Sequence, residues 1–459
     1  MASKISFLAA KMTQNSSMTL PQGANTFEAA KQYFVQGVGH FEVAEYAQAK
    51  LSFEASLALK PGRVSTLANL GATLVKLGQS GQALQLLDQA LALDAHSVDA
   101  LSHKGLALAE LGRYADALAC HDAVLRLQPE SIPSVYQRSL MLKQLGRYQE
   151  AVDACQQVLL LDADNQEAWW VRAEALHRLA QHDAALAAFD KLLSLNPSLH
   201  SAWSQKAGLL KDLGRTTEAL AAFKQALALG GDAELNGYFI ASLTGQQPPN
   251  APPRRYVEGL FDDYAEQFDQ HLVKVLGYQA HTVLIDNLKD IAKTHSIARY
   301  QSALDLGCGT GLCGPLLRGQ VDRLEGVDLS GQMLCKARDL KVYDALFQAD
   351  LAEHLQATDQ QHDLLVSCDV FIYVGALDKV FAGAARVLAT GGVFCFSVES
   401  ASDAQDFYLM PSQRYAHSDR YLRALADANG FKIVKTLAQP IRQDQQQSID
   451  GLYLYLVKL

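Results

Sequence analysis

A 34-residue period runs through the first half of this chain and leaves it few ways to fold. Gly78, Gly112, Gly146 and Gly214 lie one, one and two periods apart, Ala180 stands in the gap, and Ala44 extends the series backwards. Five residues after each of these comes an alanine: Ala49, Ala83, Ala117, Ala151, Ala185 and Ala219. Twelve residues further on stand Pro61, Pro129 and Pro197, with Ala95, Ala163 and Gly231 in the other three units. The spacing predicts six helix–turn–helix units, over 30–63, 64–97, 98–131, 132–165, 166–199 and 200–233. Glycine or alanine allows the tight turn between helices, alanine fits where two helices cross closely, and proline ends the second helix. One such unit cannot bury its apolar face alone, so the units must stack.

These six positions, coherent over about 200 residues, resemble the tetratricopeptide repeat (TPR). Tyr33, Trp169 and Trp203 fall at that family's first aromatic position. The resemblance implies an all-α solenoid over 30–245, with "ELNGYFIASLTG" (234–245) as the helix that caps its last apolar face. It also implies a concave groove in which Phe34, Tyr136 and Trp170 share one inward position. Chaperone-binding repeats grip a peptide carboxylate with Lys and Asn at set groove positions. Here the Asn position holds Val38, Ala72, Leu106, Leu140, Glu174 and Gly208. The groove is therefore expected to take a protein or peptide through apolar and aromatic contacts, not a chaperone tail. The repeats are expected to follow a flexible tail, 1–29, rich in Ser, Gln and Asn. "GQQPPNAPP" then reads as a stiff, Pro-rich linker, with 246–253 separating the two halves.

From Arg254 the period stops. Short apolar runs ("SALDLG", "RLEGVDL", "DALFQAD", "DLLVSCDVF", "GGVFCFSVE") alternate with helical stretches, the pattern of a parallel sheet with crossover helices. Ligands in such sheets sit beyond the carboxyl ends of the strands. The first run opens "ALDLGCGTGLCGPLL", Ala303–Leu317, which holds two glycine frames. Gly309, Gly311 and Gly314 make G-x-G-x-x-G, a dinucleotide spacing. Gly307, Gly309 and Gly311 make G-x-G-x-G, a spacing seen with S-adenosylmethionine (SAM). Asp305, inside the strand, suits a cationic ligand and would repel a pyrophosphate. Asp328 ends the second strand, where a carboxylate takes both ribose hydroxyls in either frame. In "QADL", Asp350 is placed to accept from an adenine amino group and the Leu351 N–H to meet the ring. The chain closes on two strands, "FKIVKTLAQPIR" and "SIDGLYLYLVKL", a terminal antiparallel hairpin.

This ordered set resembles a class I SAM-dependent methyltransferase, α/β with a Rossmann-like sheet, across 254–459. The resemblance assigns the cofactor to Asp305, Gly307, Cys308, Gly309, Gly311, Asp328, Leu329, Asp350 and Leu351. Cys308 is read as a tolerated small residue and Gly314 as keeping the next helix close to the sheet. In "YVEGLFDDYAEQFDQHL", Phe261, Tyr264 and Phe268 share one helical face; many small members of the family carry a lid helix here, which gives Tyr264 and Phe268 a place over the cofactor. With the repeats, "LFDDYAEQFDQHL", "DVFIYVG" and "RYAHSDRYL" resemble the bacterial family of TPR-containing predicted methyltransferases, whose substrate the family does not define.

Composition narrows the function classes. The 459 residues are 49% hydrophobic and 19% charged with a net charge of −9, as expected of a globular chain of two or three domains. Residues 1–253 carry 20 basic and 23 acidic side chains and residues 254–459 carry 20 and 26, so no nucleic-acid partner is expected. No apolar run approaches membrane length, and the seven cysteines form no C-x-x-C pair. Buried thiols in a reducing cytoplasm are expected, and no metal site.

On the acceptor side, "SCDVFIYVG" lacks the Asn/Asp-Pro-Pro-Tyr of enzymes that methylate base or glutamine amino groups. Asp369 and Tyr373 are its polar candidates; Tyr373 either orients an acceptor or roofs the methyl. His417 is the candidate general base because histidine titrates near neutral pH, or else the cap of the helix that follows. Arg414 and Tyr415 beside it suit an anionic acceptor such as a carboxylate. Three functions stay open. One is a SAM-dependent methyltransferase whose TPR arm recruits a protein or carrier-bound acceptor. The second is a small-molecule O-methyltransferase whose arm sets location or oligomeric state. The third is a non-catalytic TPR scaffold with a SAM-sensing domain.

Overall fold

The computed structural model describes residues 26–246, 248–266, 268–270, 277–294, 296–444 and 447–459. The tail expected over 1–25 lies outside them, as do parts of the stretch around "EQFDQHL". Residues 26–29, expected as tail, are already helical. Contacts divide the chain into two compact units, Met1–Leu213 and Gly214–Leu459.

The first unit is a run of paired helices: α1 (Thr26–Glu42) with α2 (Tyr46–Leu59), α3 (Val64–Lys76) with α4 (Ser80–Leu93), α5 (Val98–Glu110) with α6 (Tyr114–Leu127), α7 (Ile132–Gln144) with α8 (Tyr148–Leu161), α9 (Gln166–Arg178) with α10 (His182–Leu195), and then α11 (His200–Asp212). All six periodic alanines are fully buried. Each crossing pairs a small residue with a larger one. A Cβ added to Gly37, Gly71 or Gly105 would lie 2.6, 2.6 or 2.5 Å from the side chain of Phe53, Leu87 or His121. Trp169 and Trp203 pin each unit to the preceding turn, donating from Nε1 to Ala163 O at 2.9 Å and Pro197 O at 3.0 Å.

The turn residues Gly78, Gly112, Gly146 and Gly214 adopt φ of 70°, 73°, 71° and 71°. Arg113 N–H then donates back to Leu108 O at 2.9 Å, the bond that closes a helix through a left-handed residue. Ala44 and Ala180 are forced into the same region, at φ of 61° and 56°. That region costs an L-residue about 1–2 kcal/mol, and glycine's extra unfolded-state entropy returns about 0.5–1. Ala44→Gly and Ala180→Gly should each therefore stabilise the array by about 0.5–1 kcal/mol, read as a higher urea midpoint at unchanged slope. A lower midpoint would show that the alanines sit there without strain.

The second unit begins with α12 (Thr216–Ala228), α13 (Ala233–Thr244), α14 (Arg254–Tyr264) and α15 (Ala280–Thr294). There follow β1 (Tyr300–Leu306), α16 (Gly314–Arg318), β2 (Val321–Asp328), α17 (Gly331–Asp339), β3 (Ala345–Gln348), α18 (Leu351–Ala357), β4 (His362–Ser367), α19 (Asp378–Val387) and β5 (Leu388–Ala401). It ends with β6 (Phe407–Leu409), β7 (Tyr415–Ser418), α20 (Asp419–Ala428), β8 (Phe431–Asp444) and β9 (Gln447–Lys458). The strands order β3-β2-β1-β4-β5, all parallel, and β9 joins β5 antiparallel with β8 outside it. β7 pairs with the end of β5 at Glu399–Ala401, on the side that β4 vacates, and carries β6.

Side chains alternate across the sheet because a strand has period two. Leu304, Leu365, Phe394, Phe396, Leu454 and Leu456 face the core under α18, α19 and α20. Ala303, Leu364, Val366, Val393, Cys395, Tyr453 and Tyr455 face α15. The chain leaves β1 for β2 and β3 on one side and returns to β4 on the other. The carboxyl ends of β1 and β4 therefore border a crevice.

The stretch expected as a linker is bonded into this unit. Pro249 O accepts from Tyr415 OH at 2.8 Å and Asn250 O from Ala376 N at 2.8 Å. α13, expected as a cap of the repeats, buries Tyr238 among Tyr415, Phe239, Tyr256 and Phe407.

Candidate functional site

A cavity of about 340 Å³ opens at the carboxyl ends of β1, β2, β3 and β4. Of the residues expected to bind a cofactor, Asp305, Gly307, Cys308, Gly309, Asp328, Leu329, Asp350, Leu351 and Phe268 line it, as do the acceptor candidates Asp369 and Tyr373. Gly311, Tyr264 and His417 are not on its wall.

Asp305 follows Leu304 on β1 and so points away from the core under α19, into the crevice. It is fully buried, and Tyr343 OH donates to its Oδ2 at 2.7 Å. Burial pushes its pKa up to about 7, against the pull of the Tyr343 bond and with help from the Asp328 charge. At Asp328, burial also raises the pKa, opposed by backbone donors: Ser330 N–H reaches Oδ1 at 2.9 Å and Gly309 N–H reaches Oδ2 at 2.8 Å. Each carboxylate oxygen keeps a lone pair for a ligand. Asp350 caps α18, its Oδ1 accepting from Ala352 N at 2.8 Å and Glu353 N at 3.0 Å; the cap uses one of its two oxygens.

The two glycine frames overlap at Gly309 and Gly311, so the jobs divide by residue and not by frame. Gly307 and Gly309 take φ of 70° and 54° and line the cavity. Gly311 also takes a left-handed φ of 92°. Gly311 and Gly314 serve packing: a Cβ would lie 2.8 Å from Leu340 on the first and 2.8 Å from Val342 and Tyr343 on the second. Their smallness brings the 340–343 loop close enough for Tyr343 to reach Asp305. The Cys308 thiol, held neutral by burial, packs against Gly326, where a Cβ would meet Sγ at 2.9 Å.

α14 covers the cavity with Val257 and Phe261. Asp262 of this helix accepts from Ser330 OH at 2.5 Å, and Asp269 accepts from Thr310 OH at 2.5 Å. The lid aromatics on the wall are thus Phe261 and Phe268; Tyr264 instead sets its ring edge-on to Phe268 at 5.3 Å.

The end of the cavity that carries the acceptor candidates is built on a buried charge cluster that no local motif announces. Asp369 holds φ of 58°, a costly conformation for a non-glycine residue. Its N–H donates to Ser397 Oγ at 2.8 Å, and Arg442 Nη1 donates to both its carboxylate oxygens at 2.8 Å. Arg442, 3% exposed, also pairs with Glu399. Burial raises the Asp369 pKa and Arg442 only partly offsets this. Tyr373, edge-on to Phe261 at 5.0 Å, is hydrogen-bonded to Arg414. Arg442 and Glu399 lie 73 and 30 residues from Asp369 in the chain, so no spacing could have paired them.

His417 requires a correction on both of its expected roles. It is wholly buried in β7, with Nε2–H shared between Val374 O at 3.0 Å and Gly375 O at 2.8 Å. Burial pushes its pKa down to about 4. It has no place on the cavity wall to act as a base there. Nor does it cap α20: Ser418 does, its Oγ accepting from Tyr421 N at 3.3 Å. Tyr415 is buried with its OH on Pro249 O, so it is not set to hold an anion.

Fold and sequence together define a chain of tetratricopeptide repeats followed by a methyltransferase domain. Residues 68–132, 136–200 and 200–229 match tetratricopeptide-repeat families, and residues 304–396 match the family described as "Methyltransferase domain". The chain is similar to malonyl-[acyl-carrier protein] O-methyltransferases. It is 39% identical to that of Hamiltonella defensa over 94 residues, 20% of this chain and 36% of that protein. It is 37% identical to that of Geobacter sulfurreducens over 99 residues, 21% and 37%. It is 29% identical to that of Enterobacter lignolyticus over 178 residues, 36% and 68%. The chain thus spans about a third of the length of the first two. Among solved structures it resembles YrrB, described as a TPR protein with an unusual peptide-binding site (20% identity, 39% of this chain and 91% of that one, TM-score 0.35). It also resembles MamA from Desulfovibrio magneticus (20% identity, 36% and 94%, TM-score 0.35). Among the described residues no helix is long and apolar enough to cross a membrane.

Proposed function

We propose that this chain is a class I SAM-dependent methyltransferase that modifies an acceptor carried on a protein, with the repeats recruiting that protein. The carrying observation is the convergence of two carboxylates, the buried Asp305 and the half-buried Asp328, on a left-handed glycine loop in a cavity that Phe261, Phe268 and Tyr373 also line. Both have raised pKa values, so both gain from a ligand that brings positive charge. Bound SAM supplies an electrophilic methyl group on a sulfonium. Asp305 would pair with its cationic end, Asp328 would accept from the ribose hydroxyls, and Asp350, whose cap on α18 uses only one oxygen, would accept from the adenine amino group. Phe261, Phe268 and Tyr373 exclude water. Methyl transfer needs mainly positioning, which supplies about 7–11 kcal/mol in favourable cases. Two things support an oxygen nucleophile: three relatives are named malonyl-[acyl-carrier protein] O-methyltransferases, and the loop lacks the Pro-Pro-Tyr of amino-group enzymes.

The Asp305 carboxyl tests this reading. Only its ionised form pairs with a cation, and burial pushes its pKa up to about 7. SAM binding must therefore release a proton at lower pH, and affinity should rise about 25-fold from pH 5.5 to 7.5. Calorimetry should record this rise and Asp305→Asn should abolish it. A flat profile in the unsubstituted protein would remove Asp305 from the site.

A further inference from the structure

Two segments meet at the acceptor end of the cavity: 371–376, which carries Tyr373 and Val374 on the wall, and 413–417, which carries the Arg414 that holds Tyr373. Neither is fixed by the main sheet alone. Residues 371–376 follow β4 as a single helical turn, Phe371–Tyr373, and an extended stretch. Residues 413–417 lead into β7, a short strand paired only with the tip of β5 and with β6. What holds both is α13 with the 249–250 strap. Tyr238, 1% exposed, donates from its hydroxyl to Gln413 O at 2.6 Å and lies 6.4 Å, centroid to centroid, from Tyr415. Tyr415 OH reaches Pro249 O, and Asn250 O takes Ala376 N–H. Gly375 is the contact point: a Cβ there would lie 2.7 Å from Tyr415 and 2.8 Å from Asn250 O. His417 ties the segments together through Val374 O and Gly375 O. Arg255 pairs with Asp232 at the start of α13, and Glu234 on the same helix reaches the cavity wall.

We propose that α13 is a positioning element of the methyltransferase site, with Tyr238 the residue that registers 371–376 against 413–417. The inference rests on the reading of this end of the cavity as the acceptor side. The cofactor residues are held elsewhere: Asp305 by Tyr343, Asp328 by Ser330 and Gly309, and Asp350 by α18. Loss of the Tyr238 clamp should therefore loosen one end of the cavity and leave the other intact.

Hydrogen–deuterium exchange on the full chain, read by segment, tests this together with SAM calorimetry. Tyr238→Ala should speed exchange in 371–376 and 413–417 by at least about tenfold more than in 304–311 and 326–330, with SAM affinity unchanged. Tyr238→Phe keeps the ring and loses only the bond to Gln413 O; it should restore protection in 371–376 and loosen 413–417 alone. Exchange faster by the same factor throughout Gly214–Leu459 would mean that Tyr238 is merely a core residue and would overturn the proposal. So would unchanged exchange in both segments. If the unsubstituted protein binds no SAM, the cofactor reading falls, while the exchange pattern still decides the role of α13.

Discussion

Asp328→Ala should weaken SAM binding by at least about 100-fold, the largest single-residue effect expected in this cavity. In the proposed reading the carboxylate accepts from two ribose hydroxyls, and a hydrogen bond to a charged acceptor contributes about 1.5–3 kcal/mol. Losing both removes at least about 3 kcal/mol, or two orders of magnitude in affinity. The substitution also frees Gly309 N–H and Ser330 N–H, which Asp328 now holds at 2.8 and 2.9 Å. Some loosening of the glycine loop should thus add to the loss, while the thermal midpoint of the fold stays close to that of the parent. Calorimetry with SAM and with NAD decides the matter. Unchanged SAM affinity in the variant, or tight NAD binding by the parent chain, would overturn the cofactor assignment.

A fragment that starts at residue 246 should be far less stable than one that starts at Gly214. Composition favours the first cut, because the Pro-rich stretch ends near Pro253. The contacts favour the second, because the compact unit begins at Gly214. Cutting at 246 removes Tyr238 and Phe239 from the cluster with Tyr256 and Tyr415, where ring centroids lie 5.4–6.4 Å apart. Deleting one buried aromatic costs about 3–5 kcal/mol, and a domain has only about 5–15 in all. Residues 214–459 should unfold cooperatively in urea and bind SAM; residues 246–459 should be largely unfolded or insoluble. Equal stability of the two fragments would place α13 with the repeats alone.

Much of the repeat array and of the Asp305–Asp328 end of the cavity was legible in the chain because both are encoded locally. A turn that needs a left-handed residue selects glycine at Gly78, Gly112 and Gly146, and the same turn marks Ala44 and Ala180 by their spacing. Close crossings select small residues beside Phe53, Leu87 and His121. The cofactor candidates Asp305, Gly307, Gly309 and Asp328 sit within 24 residues, each at the end of a strand or in the loop after it, so strand periodicity alone brings them to one crevice. The acceptor end follows no such rule. Histidine at 417 is a chemically sound base on paper, and burial in β7 with two carbonyls on Nε2 removes it from the cavity.

The sequence by itself therefore determined the class of each half: the 34-residue period, the alternation along each strand, and the carboxylates that bracket the glycine loop. Those are short-range patterns, set by helix and strand geometry, and they survive without knowledge of what packs on them. Only the tertiary structure decided that Arg442 neutralises Asp369, that Tyr343 reaches Asp305 across Gly311 and Gly314, and that α13, besides covering the last repeat helix, packs Tyr238 on Tyr415 of β7. Each of those contacts joins residues 38 to 177 positions apart. Burial, not spacing, selects them: a charged or phenolic group withdrawn from water must find its partner wherever the fold brings one within about 3 Å.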